Sequence, residues 1–298
     1  MNKIKYITFA FTLSAIALTS CEEDAPGTTP GNDSEPHIIV NNYAPGDEYE
    51  GDTDRRFRVT TNNKVNEVYY LVEPKENAEA YKNQNGEQAY IDKVLAEGKK
   101  VDIGGNEDKD IVVTGLKGKY LISFVGVNGG QRFLASAEFF GQSWETIAKG
   151  VYKSDILSND KYQSENDTIF YKRGIEVELQ HSLDTPEKYR FHNVYGKNAN
   201  LVFTKTEEKG VDEDGVNITY IIVESGTTPL KTKKLNIQYN DIATWRNDAE
   251  YMQDDVLGAW IADDNSYFYA ALRYYIVTEA GAAELGHKPA DTWEINEE

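Results

Sequence analysis

The sequence predicts an all-β chain of two units, each a sandwich or barrel-like stack of short strands, with one or two short helices. Three observations carry that expectation. The chain holds 20 Tyr, 11 Phe and 4 Trp, residue types that favour half-buried pleated surfaces. Its apolar residues fall in runs of strand length separated by Gly, Asp and Asn clusters. Its 298 residues are 40% hydrophobic, enough for about two cores at ~150 residues each.

Lys3 and Lys5 form a basic start, an apolar run extends from about Tyr6 to Ala17, and Leu18-Thr19-Ser20-Cys21 follows. This is the pattern of a secretory signal over residues 1–20. An apolar run of that length is short of the ~20 residues that a helix needs to cross a ~30 Å hydrocarbon core. Residues 21–36 contain Glu22, Glu23 and Asp24 and then APGTTPGNDSEP. With no apolar periodicity, this stretch reads as a flexible acidic tether. A coil of its length reaches on the order of 20 Å.

A first unit is expected over 37–141. His37 to Tyr43, Phe57 to Thr61 and Glu67 to Glu73 read as strands. Ile91, Val94 and Leu95 recur at helical spacing between Gln88 and Glu97, with Gly98 as a C′ residue. Ile111 to Val113, Leu121 to Val127 and Gln131 to Phe140 are further strands, the last two joined by a tight turn at Asn128-Gly129-Gly130. A second unit is expected over 142–298. Its strands are Ile169 to Leu179, Asn200 to Lys205, Val216 to Glu224, Leu235 to Tyr239 and Tyr267 to Val277, with a hairpin at Asp214-Gly215. Asp241 to Met252 places Ile242, Trp245, Ala249 and Met252 at helical spacing behind an N-cap Asp241, which fits a short helix or a long loop.

Composition narrows the function. Against 31 Lys and Arg stand 50 Asp and Glu, a formal net charge of −19. Such a surface repels phosphate backbones and anionic lipid, so no nucleic-acid partner is expected. The single Cys excludes an internal disulfide or a multi-thiolate metal site. No phosphate-binding, dinucleotide-binding or H-E-x-x-H motif occurs, so neither cofactor nor metal is expected. Gly141-Gln142-Ser143-Trp144-Glu145 begins like a nucleophile elbow but has Glu145 where the second Gly is required. Asp212-Glu213-Asp214-Gly215-Val216-Asn217 lacks the distal Glu of a calcium loop, and a hairpin turn explains it. No catalytic residue is assigned.

Five resemblances add to this reading. Residues 1–20, followed by Cys21, resemble a bacterial lipoprotein signal, with Cys21 as the lipidated residue. The run Glu22, Glu23, Asp24 resembles the surface-export signal of Bacteroidetes lipoproteins. The implied location is the outer membrane, lipid-anchored and facing outward, since several acyl chains hold a protein to membrane durably. Val113 to Asn128, VTGLKGKYLISFVGVN, is similar to a corner of fibronectin type III and immunoglobulin-like sandwiches. Leu116 and Tyr120 stand there at the places of a tyrosine corner, and the 88–97 helix is an insertion. Trp144, Gly150 and Tyr152, followed by Thr185-Pro186, Tyr189-Arg190, Asn193 and Tyr195, resemble a C-terminal β-rich module of Bacteroidetes surface lipoproteins. Asp167-Thr168-Ile169 resembles an O-glycosylation site of that phylum, with Thr168 as the acceptor.

The positive functional signal is aromatic. All four Trp lie in the second unit, and one stretch combines Trp245, Tyr251, Trp260, Tyr267 and Tyr269 with Asp254, Asp255, Asp263, Asp264 and Asn265. Aromatic faces stack on sugar rings while carboxylates and amides hold hydroxyls. The expectation is a non-catalytic binding lipoprotein with a glycan as ligand. The alternatives are a structural or adhesion protein partnering an outer-membrane transporter or another envelope protein, and third a glycan-active hydrolase with paired carboxylates.

Overall fold

A computed structural model describes residues 35–159 and 173–296. Cys21, Glu22, Glu23, Asp24, Thr168 and the start of the strand expected from Ile169 lie outside the described residues.

The first seven strands form two antiparallel sheets. One has the order β1 (Ile38–Tyr43), β2 (Arg55–Thr61), β5 (Asp108–Val113). The other runs β4 (Lys99–Val101), β3 (Glu67–Pro74), β6 (Gly118–Asn128), β7 (Gln131–Gly141). Phe57 and Val59 of β2 pack against Val68 of β3 and Ile122 and Phe124 of β6 to make the sandwich core. The sandwich thus divides its seven strands into three and four. The Leu116 side chain is buried, but among the described residues the Tyr120 hydroxyl makes no hydrogen bond, so no tyrosine corner closes there.

Two helices cover the far face of the larger sheet. Helix α2 (Glu87–Glu97) buries Tyr90, Ile91 and Val94 against Leu121 and Val125 of β6. Strand β6 is therefore covered on both faces, which is why Leu121 to Val125 does not alternate apolar with polar. Helix α1 (Lys75–Asn85) is a correction to the sequence reading: KENAEAYKNQN buries only Ala78 and so carries no apolar stripe. Gly98 ends α2, but with an extended φ of −74° rather than a left-handed cap. Space requires it, because a Cβ there would lie 2.3 Å from the Val94 carbonyl oxygen. The β6–β7 turn is Gly129-Gly130, with Asn128 paired to Gln131 as the last strand pair.

The second group of strands closes an antiparallel barrel with the cyclic order β8-β9-β10-β11-β12-β15-β16-β19. These strands are β8 (Trp144–Lys153), β9 (Ile175–Ser182), β10 (Lys188–His192), β11 (Leu201–Val211), β12 (Asn217–Val223), β15 (Ala259–Ala262), β16 (Tyr267–Ala270) and β19 (Asp291–Ile295). Each sends one large residue inward: Tyr152, Leu179, Phe191, Phe203, Ile221, Ile261, Phe268 and Trp293 in chain order. Phe191 meets Phe268 edge-on with centroids 4.8 Å apart, a favoured arrangement of two rings. Gly150 makes room for this filling, since a Cβ there would stand 2.6 Å from the Trp293 ring.

Beside the barrel lies a four-stranded sheet in the order β13 (Gly226–Thr232), β14 (Leu235–Asp241), β17 (Leu272–Thr278), β18 (Gly281–Gly286). It shares one core with the barrel through Ile237, Tyr239, Leu272 and Tyr274. The run Tyr267 to Val277, expected as a single strand, breaks at Ala271 and serves two sheets, β16 in the barrel and β17 beside it. Asp241 caps helix α3 (Ile242–Arg246) by accepting from the Thr244 amide at 2.5 Å, and a 3-10 segment, Ala249–Gln253, follows.

The sandwich and the barrel are joined by polar contacts. Arg190 of β10 pairs with Asp52 at 2.6 Å, lies over the face of Trp144 at 4.2 Å, and donates to Gln180. Asn198 bonds the backbone at Tyr49 and Gly51. The residues that carry the C-terminal module resemblance thus act as packing: Trp144 holds Arg190, Gly150 admits Trp293, and Tyr152 and Tyr195 enter the core.

Candidate functional site

The structural feature best suited to a ligand lies on the outer wall of the barrel. In the registered pairing Tyr220 stands opposite Trp260, and Trp260 opposite Tyr269. A single row across β12, β15 and β16 therefore carries three aromatic rings. Side chains alternate along a strand, so these three face outward while Ile221, Ile261 and Phe268 fill the barrel. Trp260 and Tyr269 lie nearly parallel, 13° apart with centroids at 5.5 Å, and Tyr267 adds a further ring at 5.6 Å from Trp260. All of these rings are half-buried.

Two loops wall this platform into a groove of about 720 Å³, within the ~300–1,000 Å³ usual for small-ligand sites. On one side is the β11–β12 hairpin, with Asp212, Glu213 and Asp214 at its tip and the exposed Val211 and Val216 at its base. Asp212 shapes the tip by accepting from the amides of Asp214 and Val216. On the other side is the stretch after the 3-10 segment, with Gln253, Asp254 and Asp255. Asp254 accepts from the amides of Val256 and Leu257, and the Tyr269 hydroxyl donates to the Val256 carbonyl at 3.0 Å, which ties this wall to the platform. Partial burial raises the Tyr267 and Tyr269 hydroxyl pKa values above the usual tyrosine range. Both stay protonated at neutral pH as donors.

The structure brings together Trp260, Tyr267, Tyr269, Asp254 and Asp255 of the residues singled out in the sequence, and joins to them Tyr220. The others stand elsewhere. Asp263, Asp264 and Asn265 form the β15–β16 turn, with Asn265 at φ 60°. Asp263 pairs with Lys209 at 3.0 Å and accepts from the Thr219 hydroxyl at 2.5 Å, bonds that hold its carboxyl below the usual range. Asp264 is lowered by the Ser266 hydroxyl and amide it binds. Asn265 accepts from Lys205 at 2.7 Å. Trp245 lies against Arg273 and Arg246, at 4.5 and 4.2 Å. Tyr251 lines a separate, mostly apolar hollow of about 490 Å³ with Ile222 and Met252.

The sequence signal for Tyr220 is its outward alternation beside buried neighbours, which becomes readable only once the strand register aligns it with Trp260. Among the described residues, no cluster of His, Cys, Asp and Glu is placed to hold a metal ion.

No protein-family model and no curated protein matches the chain. Among solved structures it is similar to a cycloalternan-degrading enzyme from Trueperella pyogenes in complex with cycloalternan, at 9% identity and a TM-score of 0.24, over 83% of this chain and 31% of that one. The same enzyme in complex with isomaltose gives 7% identity and a TM-score of 0.27, over 87% and 32% of the two chains. The chain spans about a third of the length of those structures.

Proposed function

We propose that the chain is a non-catalytic binding protein whose barrel groove takes a glycan, and that it is held on the outer face of the outer membrane through a lipid on Cys21. The observation that supports the binding site is the registered row Tyr220, Trp260, Tyr269, with Tyr267 beside it, facing outward on a closed barrel. Preformed aromatic surface of this kind binds sugar rings with little ordering cost. Binding rather than cleavage is favoured by the position of the acids. A glycosidase keeps its general acid protonated in an apolar pocket, whereas Glu213, Asp214, Asp254 and Asp255 stand exposed on the walls. A glycan array probed with residues 22–298 tests this reading. Retention on a defined set of glycans supports it. A blank array, together with co-purification of an envelope protein, supports the adhesion alternative.

A further inference from the structure

The walls of the groove determine which ligand it accepts. Five carboxylates line it, Asp212, Glu213, Asp214, Asp254 and Asp255, and none of the described lining residues is Lys, Arg or His. None of the five is ion-paired with a described residue. Some acids elsewhere on the same barrel and its neighbouring sheet are neutralised, Asp263 by Lys209, Glu178 by Lys149 and Glu284 by Arg273. A cleft walled by one sign of charge focuses its field on whatever enters. Here that field lies over a floor of aromatic rings, whose negative faces also attract a cation.

Resting on the glycan reading of this groove, we infer that its ligand carries positive charge, and that the groove selects saccharides with free amino groups over their neutral or anionic counterparts. An ammonium on the sugar meets a ring face from below and carboxylates from the walls. The N-acetylated form keeps the stacking and loses both charge contacts. A uronate-bearing chain keeps the stacking and is repelled.

The test is calorimetric titration of residues 22–298 with three oligosaccharides of equal length: a glucosamine oligomer, its N-acetylated form and a galacturonate oligomer. Low salt and a pH of about 5.5 keep exposed carboxylates ionised and the sugar amines protonated. The expected result is binding of the glucosamine oligomer at least about tenfold tighter than the N-acetylated one, weakening as salt screens the charges, with no binding of the uronate. Glu213, Asp214 and Asp255 make no side-chain hydrogen bond with a described residue. The triple variant Glu213→Gln, Asp214→Asn, Asp255→Asn should therefore fold, and should bring the two glucosamine-based ligands to near parity. Equal binding of both by the unaltered protein, lost on Trp260→Ala, would overturn the charge selection and leave the glycan site standing. Preference for the uronate would overturn the selection outright. Absence of binding to all three, with a blank glycan array, would overturn both.

Discussion

The Arg190 guanidinium, 4% exposed in the barrel, reaches Asp52 of the N-terminal sandwich at 2.6 Å. The Asp52 backbone carbonyl also takes the Gln142 amide at 3.0 Å, so one residue holds both the connecting segment and the barrel. Removing one partner of a buried ion pair costs about 3–5 kcal/mol where the remaining charge is left uncompensated. Asp52→Ala leaves Arg190 with only Gln180 and the Trp144 face, so a loss near the lower end, about 3 kcal/mol, is expected in denaturant titration. Arg190→Ala strands no buried charge, because Asp52 is partly exposed, and leaves only the neutral Gln180 amide oxygen without its donor, so it should cost less. Equal and negligible effects would show that the pair does not fasten the two units.

The same contact bears on modularity. The barrel and its neighbouring sheet share a core of their own over 144–295, distinct from the sandwich cores. A fragment of residues 144–298 should melt cooperatively, at a lower temperature than the whole chain because Arg190 and Asn198 lose their partners in the sandwich. A fragment with no cooperative transition would show that the two units fold as one.

A buried carboxyl in the barrel sets a pH dependence. Asp291 is fully buried and accepts from the hydroxyls of Tyr152 at 2.7 Å and Tyr274 at 2.5 Å. Burial raises its pKa from 3.8 to about 7, against the hydrogen bonds from Tyr274, Tyr152 and Ser154 that favour the anion. Between those two values the unfolded chain has released a proton that the folded chain keeps. Stability contributed by Asp291 is thus complete below about pH 4 and lost as pH rises to about 7. At ~1.4 kcal/mol per pH unit the span is on the order of 4 kcal/mol. An asparagine in that place cannot ionise, so the stability of Asp291→Asn relative to the unaltered protein should climb across that window. Parallel stability curves from pH 4 to 8 would contradict this.

Lipidation is tested on whole cells. Intact mass of the membrane-extracted protein should begin at Cys21 with an acyl increment, and Cys21→Ala should abolish anchoring. Replacing Glu22, Glu23 and Asp24 with Ala should keep the lipid and protect the protein from added protease. An unmodified Cys21 in a soluble native protein would refute the anchor, and equal shaving of both forms would refute the export role.

Much of the fold was legible because the strands alternate or run apolar as burial demands. The helix at α2 was legible through Ile91, Val94 and Leu95, whereas α1 was not, since a helix that buries only Ala78 leaves no periodic trace. Barrel closure depends on pairing between β8 and β19, which lie far apart in sequence, and local pattern carries no sign of it. Within the site, Trp260, Tyr267 and Tyr269 were visible as aromatic residues of the right stretch. Separating them from Trp245 required the register, because Trp245 sits after β14 among Arg246 and Arg273, while Trp260 sits in the barrel row. Asp263, Asp264 and Asn265 share the composition of a sugar site, yet their hydrogen bonds build a turn.

The groove account is tested most directly by measuring ligand affinity and melting temperature together for Trp260→Ala, with Trp245→Ala and Trp293→Ala beside it. Trp293 is a core residue, and its loss should cost about 3–5 kcal/mol of stability. Trp245→Ala should leave affinity for an array-identified glycan unchanged. Trp260→Ala should lower that affinity about tenfold or more, the loss of on the order of 1–2 kcal/mol of ring contact, while melting near the unaltered protein. A Trp260→Ala protein that stays folded and binds as tightly as the original would contradict the groove as the binding site.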